Sequence, residues 1–171
     1  MNALFQENPL GFDLPTLDLT RFSKPQTSQF VGEKYLVFFI GKNFYAVSSK
    51  KVVEAAPSLP VTVLPNSPEW LLGIVNLRGE VISVVNLPLL LRGENPTPAL
   101  KQKFIILRSE FFEFGAAFAA DRISEIVTLP SEDIEFDAAE KSPYIFGKAA
   151  YKNQFLNLID TEKLLSSLTI N

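Results

Sequence analysis

The chain contains no histidine and no cysteine, and only one methionine and one tryptophan among its 171 residues. Without cysteine it forms no disulfide and offers no thiolate as a nucleophile or metal ligand. Without histidine it has no imidazole to act as triad base, metal ligand or phosphoryl carrier. It also lacks a G-x-x-x-x-G-K-[ST] phosphate loop and the spaced acidic loop that holds calcium. Carboxylates, lysine, tyrosine and serine are present, but no motif assembles them into a catalytic pattern. The expectation is a protein that is not an enzyme and that uses no cofactor and no metal. Long apolar runs are missing too: none approaches the ~18 residues of a membrane helix. The opening "MNALFQENPLGFDLP" does not follow the basic-then-apolar order of a signal peptide. A cytoplasmic location without direct membrane insertion is therefore expected. The net charge of −3 provides no broad basic field, so nucleic acid is not expected as a partner.

What the chain does have is apolar content, at 47% of residues against 20% charged, which is enough for a globular core. Residues 1–32 stand apart. They carry three prolines in "NPLGFDLPTLDLTRFSKPQTSQF" and apolar beads that keep no period of 2 or 3.6. They read as a flexible N-terminal extension, with Leu17, Leu19 and Phe22 as candidate docking residues. From Glu33 the pattern is β. "KYLVFFI" (34–40) and "FYAVSS" (44–49) are aromatic and β-branched runs around a short hairpin turn at Gly41-Lys42-Asn43. "LPVTVLP" (59–65) reads as a further strand. "NSPEWLLG" reads as a short helix with Ser67 as N-cap, Pro68 in its first turn and Gly73 at its end. "GIVNL" and "EVISVVNL" follow as strands around Arg78-Gly79. The polar, proline-bearing "RGENPTPALKQK" (92–103) reads as a link. "IDTEKLLSSL" (159–168) closes as a helix capped by Asp160 or Thr161, with Leu164, Leu165 and Leu168 at helical spacing.

The second half repeats the first. "WLLGIVNLRGEVISVVNLPLLL" (70–91) lies without gaps over "YIFGKAAYKNQFLNLIDTEKLL" (144–165), so that Trp70 meets Tyr144, Gly73 meets Gly147 and Gly79 meets Asn153. Glycine and asparagine are the residues that best accept the positive φ of a tight hairpin, so this replacement preserves a backbone shape. Upstream, "FYAVSSKKVVEA" (44–55) lies over "GAAFAADRISEI" (115–126). That register pairs Glu54 with Glu125, just as Arg78 pairs with Lys152. Two opposite-charge pairs, Glu54 with Arg78 and Glu125 with Lys152, at equivalent places are candidate braces. The fold expected is mainly β: two similar lobes, one about 33–91 and the other about 104–168, joined by the link. Trp70 reads as core, and the phenylalanines of "EFFEFG" (110–115) as lobe core or an exposed patch.

"GIVNLRGEVISVVNL" resembles the signature of the CheW-like domain family, the scaffold of bacterial chemosensory arrays. "YLVFFIGKNFYAVSSKKVVEA", "FGAAFAADRISEIVTLP" and "YIFGKAAYKNQFLNLIDTEKLL" resemble its other blocks, in order and spacing, so the resemblance spans about residues 33–168. It implies two five-stranded β-barrel lobes around a shared core, with short helices including a C-terminal one. It also implies a non-catalytic adaptor that couples a CheA-type histidine kinase to the signalling tips of methyl-accepting receptors. A barrel end would meet the kinase's regulatory domain, and a groove near the lobe junction would take the receptor's helical hairpin. The positions it marks for partner binding are Val52, Glu54, Gly73, Asn76, Leu77, Arg78 and Gly79. Arg78 stands equally as a partner contact or as a brace to Glu54. Asn86 and Pro88 depart from the family's polar Asp and Arg-like pair. With the 32-residue extension, they point to a pathway-specific paralogue in chemotaxis, phototaxis or pilus-type motility. Two alternatives remain: an array spacer without kinase coupling, and a single-strand nucleic-acid-binding β-barrel, which the scattered lysines and arginines disfavour.

Overall fold

A computed structural model of the chain describes residues 31–94, 102–111, 115–136 and 142–169. Leu17, Leu19 and Phe22, most of the expected link and most of the N-terminal extension lie outside the described residues. So do Phe112 and Phe114.

The first two strands, β1 (Glu33–Ile40) and β2 (Asn43–Ser48), form an antiparallel hairpin that turns at Gly41-Lys42. Both faces of β1 are covered. Leu36 and Phe38 enter one cluster, while Tyr35 and Val37 enter another. A strand apolar on both faces cannot serve as one wall of a two-layer lobe; it must lie between two apolar regions. A single 3-10 turn at Ser49–Lys51 then carries the chain into a different sheet.

That second sheet holds β3 (Val52–Pro57), β4 (Leu71–Leu77), β5 (Glu80–Val85), β6 (Lys103–Arg108) and β7 (Gly115–Ala120), in the order β3-β6-β7-β5-β4. At Asp121 the chain returns to the first sheet. It adds β8 (Arg122–Leu129), the two-residue β9 (Ile134–Glu135), β10 (Ile145–Tyr151) and β11 (Gln154–Ile159), in the order β8-β1-β2-β11-β10-β9. The repeats at about 33–91 and 104–168 therefore do not map one to each sheet. The repeats are real, but each gives its first hairpin to the other's sheet. The seams are parallel: β5 runs beside β7, and β11 beside β2. The exchange follows from the two-faced hairpins. β6 behaves like β1, with Phe104 and Ile106 facing one cluster and Ile105 and Leu107 the other.

The core is correspondingly threefold. Each sheet encloses its own cluster: Tyr35, Val37, Leu156 and Leu158 in one, Val75, Ile82, Phe104 and Ile106 in the other. Between the sheets lies a shared cluster of Phe38, Tyr45, Ile105, Leu107 and Phe118, closed by two helices. One is α1 (Leu87–Arg92), the other α2 (Thr161–Ser167). Their caps are equivalent. Asn86 Oδ1 accepts from the Leu89 N–H, and Asp160 Oδ1 accepts from the Lys163 N–H. Trp70 packs against the shared cluster, as expected.

Three local expectations change. Residues 59–65 form no strand: Thr62 makes a single bridge to Ile74, and the prolines at 60 and 65 remove donors a ladder needs. "NSPEWLLG" forms only a turn, because Leu71 and Leu72 are drawn into β4 by pairing with β5. Gly73 is a bulge residue with φ +144°, and an added Cβ there would collide with the Thr62 carbonyl. Its repeat-mate Gly147 meets the Glu135 carbonyl in the same way. Finally, "VVNLPLLL" does not run on as strand. Asn86 caps α1, and its side chain holds the turn that an Asp would otherwise hold.

The expected mainly β fold of two similar units around a shared core, with a C-terminal helix, is what the structure shows; each unit is a curled sheet, with ladders open among the described residues between β3 and β4 and between β8 and β9. The short β9 accounts for the sixth strand; Thr62 holds the matching place in the other sheet as an isolated bridge.

Gly73→Ala is expected to destabilise the protein by about 1–3 kcal/mol in urea unfolding, from positive-φ strain and the forced displacement of residues 61–62. Thr161 is buried where the first repeat has Leu87, and its Oγ1 has no hydrogen-bond partner among the described residues. Thr161→Val keeps the shape and removes the hydroxyl, so unfolding free energy should rise by about 1 kcal/mol.

Candidate functional site

The hairpin "NLRGE" is built on backbone demands. Leu77 pairs with Glu80, leaving Arg78 and Gly79 as the two turn residues, with φ of 54° and 90°. Both values are positive, as the type I′ hairpin turn requires. Asn76 Oδ1 accepts from the Gly79 N–H at 2.8 Å and holds the turn closed. In the second repeat Lys152 and Asn153 occupy the same turn, with φ of 45° and 62°. A glycine at 79 and an asparagine at 153 thus serve one backbone shape.

From this turn the Arg78 guanidinium reaches Glu54 on β3, with Nη2 3.0 Å from Oε1. Lys152 Nζ meets Glu125 on β8 at 2.5 Å, and Tyr151 donates its hydroxyl to the same Glu125 oxygen at 2.6 Å. Each pair spans the open side of a curled sheet, joining one edge strand to the hairpin on the far side, where no backbone ladder among the described residues does so. Lys152 first, and then the Tyr151 hydroxyl, hold the Glu125 carboxyl below the usual carboxylate range. These pairs are solvated, so their value lies in orientation more than in stability. Arg78 remains 79% exposed while bonded, against 23% for Glu54, so its outer face is available to a second molecule.

The other sequence-derived positions separate by environment. Leu77 packs against the second sheet's cluster, and Val52 against the shared one. Gly73 lies at the close approach to Thr62, and Gly79 at the turn. Arg78, Gly79, Asn76 and Glu54 are brought together at one hairpin end, while Val52 and Gly73 lie away from it along their strands.

Composition and motif spacing did not reveal three features. Val81 and Phe155, one step into the second strand of each repeated hairpin, are both exposed, at 63% and 64%. The alternation of "EVISVV" and "QFLNLI" and the repeat offset of 74 were the available signals. The second is a half-buried clamp between the repeats. Lys51 Nζ, in a side chain only 14% exposed, contacts Glu162 at 2.5 Å and Glu110 at 3.0 Å. Glu162 also accepts from Ser109 Oγ at 2.6 Å and from the Glu110 N–H at 2.9 Å. It joins the crossover at Ser49–Lys51 to the first turn of α2 and to the end of β6. Partial burial pushes the Glu162 carboxyl up, but Lys51, Ser109 and the Glu110 N–H outweigh it and hold it below its ordinary value. Nothing in the spacing of residues 51, 110 and 162 announces the contact. Phe111 is exposed beside Lys51, whose Nζ lies 5.8 Å from the ring centre.

The third is a cleft of about 350 Å³ at the meeting of the two sheets, lined by Ala55, Ala56, Pro57, Lys103, Asp121, Arg122 and Ile123. It runs between the edge strands β3 and β8, the strands that carry Glu54 and Glu125. Arg122 stacks over Phe39 at 4.3 Å, and Asp121 accepts from the Gly41 N–H at 2.7 Å, so both are held in place.

The CheW-like domain model matches residues 34–169. The chain is 28% identical over 141 residues to the chemotaxis protein CheW of Klebsiella aerogenes, covering 80% of this chain and 84% of that one. It is 26% identical over 141 residues to protein FrzA of Myxococcus xanthus, covering 79% and 86%. Its fold is similar to that of the scaffolding protein TtCheW from Thermoanaerobacter tengcongensis, with a TM-score of 0.70 at 22% identity over 82% of this chain and 90% of that one.

A carboxyl whose folded pKa is depressed contributes stability above its unfolded pKa and loses it as pH falls through the folded value. Stability should therefore decline as pH drops below about 4.3, the ordinary glutamate value. Glu162→Gln should lower stability at neutral pH and flatten that decline, as read from urea unfolding midpoints across the pH range.

Proposed function

Because this chain belongs to the CheW-like domain family and is a non-catalytic chemosensory adaptor, we propose that it couples a CheA-type histidine kinase to the cytoplasmic tips of methyl-accepting receptors. The observation that carries this reading is the duplicated hairpin end. Each repeat presents an exposed apolar side chain, Val81 or Phe155, on a hairpin whose tip cation is anchored by a glutamate on the opposite edge strand. A small apolar contact ringed by oriented charges suits docking to a protein of complementary shape, with the charges setting register and the apolar residue carrying affinity. Val81, with Arg78 and Glu54 beside it, is assigned to the kinase's regulatory domain. The cleft between β3 and β8 is assigned to a receptor helix, with Ala55, Ala56 and Pro57 on its β3 wall and Arg122 and Ile123 on its β8 wall.

The domain reading that accompanies this is an adaptor body of about residues 33–168 preceded by the extension at 1–32. Among the described residues no helix is long and apolar enough to cross a membrane. The adaptor would act on the cytoplasmic side, held at the array by its partners.

The test is co-purification of the full chain from its own host, with bound proteins identified by mass spectrometry. A chemosensory kinase and a receptor are expected, and recovery of neither sinks the adaptor reading. Val81→Asp should cut kinase binding about tenfold or more, the usual cost of losing an interface anchor. Arg78→Glu alone should weaken it as well. If the Arg78–Glu54 pair acts as a brace, adding Glu54→Arg should restore binding; if Arg78 touches the kinase directly, the double exchange stays defective.

A further inference from the structure

An occupant that belongs to this molecule lies within reach of the cleft between the two sheets. Its walls are apolar at Ala55, Ala56, Pro57 and Ile123, and its charged groups are Lys103, Arg122 and Asp121. Two cations therefore face one carboxylate, and that carboxylate already accepts the Gly41 N–H. Such a site selects an acidic segment with aliphatic side chains. The volume of about 350 Å³ is at the small end of specific binding cavities, roughly 300–1,000 Å³.

The chain enters the described fold at the far end of the strand that lines this cleft. Glu33 pairs with Leu129, and an added Cβ at Gly32 would meet the Leu129 carbonyl at 2.7 Å, so the entry point is packed against the end of β8. The other end of β8, Arg122 and Ile123, forms the cleft wall. Six residue steps from Leu129 back to Ile123 span roughly 20 Å. The sequence before residue 31 includes "DLPTLDLTRF" (13–22), in which Asp13 and Asp18 alternate with Leu14, Leu17 and Leu19. The polar, proline-bearing "SKPQTS" (23–28) separates it from the fold. From Phe22 to Val31 the chain can span roughly 30 Å when extended, more than the distance to be covered.

We propose that the Asp13–Phe22 segment of the same molecule docks in this cleft. Leu17 and Leu19 enter between Pro57 and Ile123, and Asp13 and Asp18 pair with Lys103 and Arg122. The extension then acts as an internal competitor for the cleft, and a receptor helix must displace it. That consequence rests on the cleft assignment proposed above; the intramolecular contact itself does not.

The absence of native cysteine makes the test direct. In the full chain, Ser58→Cys at the cleft rim carries a single nitroxide label, and amide peak intensities are compared before and after its reduction. Docking predicts loss of intensity for residues 13–22 that persists on dilution and recovers when Lys103→Glu and Arg122→Glu are added, with the fold's own spectrum retained. Leu17→Asp with Leu19→Asp should abolish the loss without any change to the cleft. Unaffected arm peaks overturn the proposal. So does a loss seen only when labelled protein without isotope is mixed with isotope-enriched unlabelled protein, since that reports a second copy. No kinase or receptor enters this measurement, so its failure is separate from failure of the adaptor reading.

Discussion

The parallel seams between β5 and β7 and between β11 and β2 are the constraint on which the rest of this molecule depends. They exist because each repeat begins with a hairpin that is apolar on both faces. Such a hairpin is satisfied only between two apolar regions, one inside its own curled sheet and one shared with the neighbouring sheet. Exchanging hairpins between repeats meets that demand twice with one geometry. Neither sheet can then form without the other: the second sheet needs β6 and β7 from the second repeat, and the first sheet needs β1 and β2 from the first.

The surfaces proposed for binding follow from this exchange. The crossovers at Ser49–Lys51 and Asp121 bring the edge strands β3 and β8 side by side, and the cleft is the space they leave. Among the described residues their outer edges are not closed by backbone pairing. Across each of these edges lies one opposite-charge contact, Arg78 with Glu54 in one sheet and Lys152 with Glu125 in the other. A partner that engages one of these hairpin ends therefore meets a tip whose orientation is already set. Lys51 and Glu162 perform a related task inside, fixing one crossover to α2 so that the repeats keep their relative placement.

Much of this was readable beforehand, for identifiable reasons. Asn153 opposite Gly79 exposed the shared turn, because few residues tolerate a positive φ and their pattern survives when side chains change. The charge pairs followed from the same alignment. Asn86 was harder. After an apolar strand, "NLPLLL" extends the hydrophobic run, and only the capping bond to the Leu89 N–H shows that the chain has begun a helix. Residues 67–73 misled in the opposite direction. Ser-Pro-Glu followed by a glycine is a helix signal locally, but the pairing of Leu71–Leu77 with Glu80–Val85 takes precedence over it. Gly73 is there because Thr62 passes too close for a side chain, not because a helix ends.

The sequence by itself determined the chemistry that is excluded, the mainly β class, the repeat, both hairpin turns and the family. These are properties of residue type and local spacing, and they are set along the chain. Only the tertiary structure decided which hairpin joins which sheet, since parallel and antiparallel neighbours bury the same residues and leave the same alternation. It alone brought Lys51 to Glu162 and Ala55 to Ile123, contacts between residues far apart in sequence. Their partners are chosen by the packing of whole sheets, and no local signal encodes that choice.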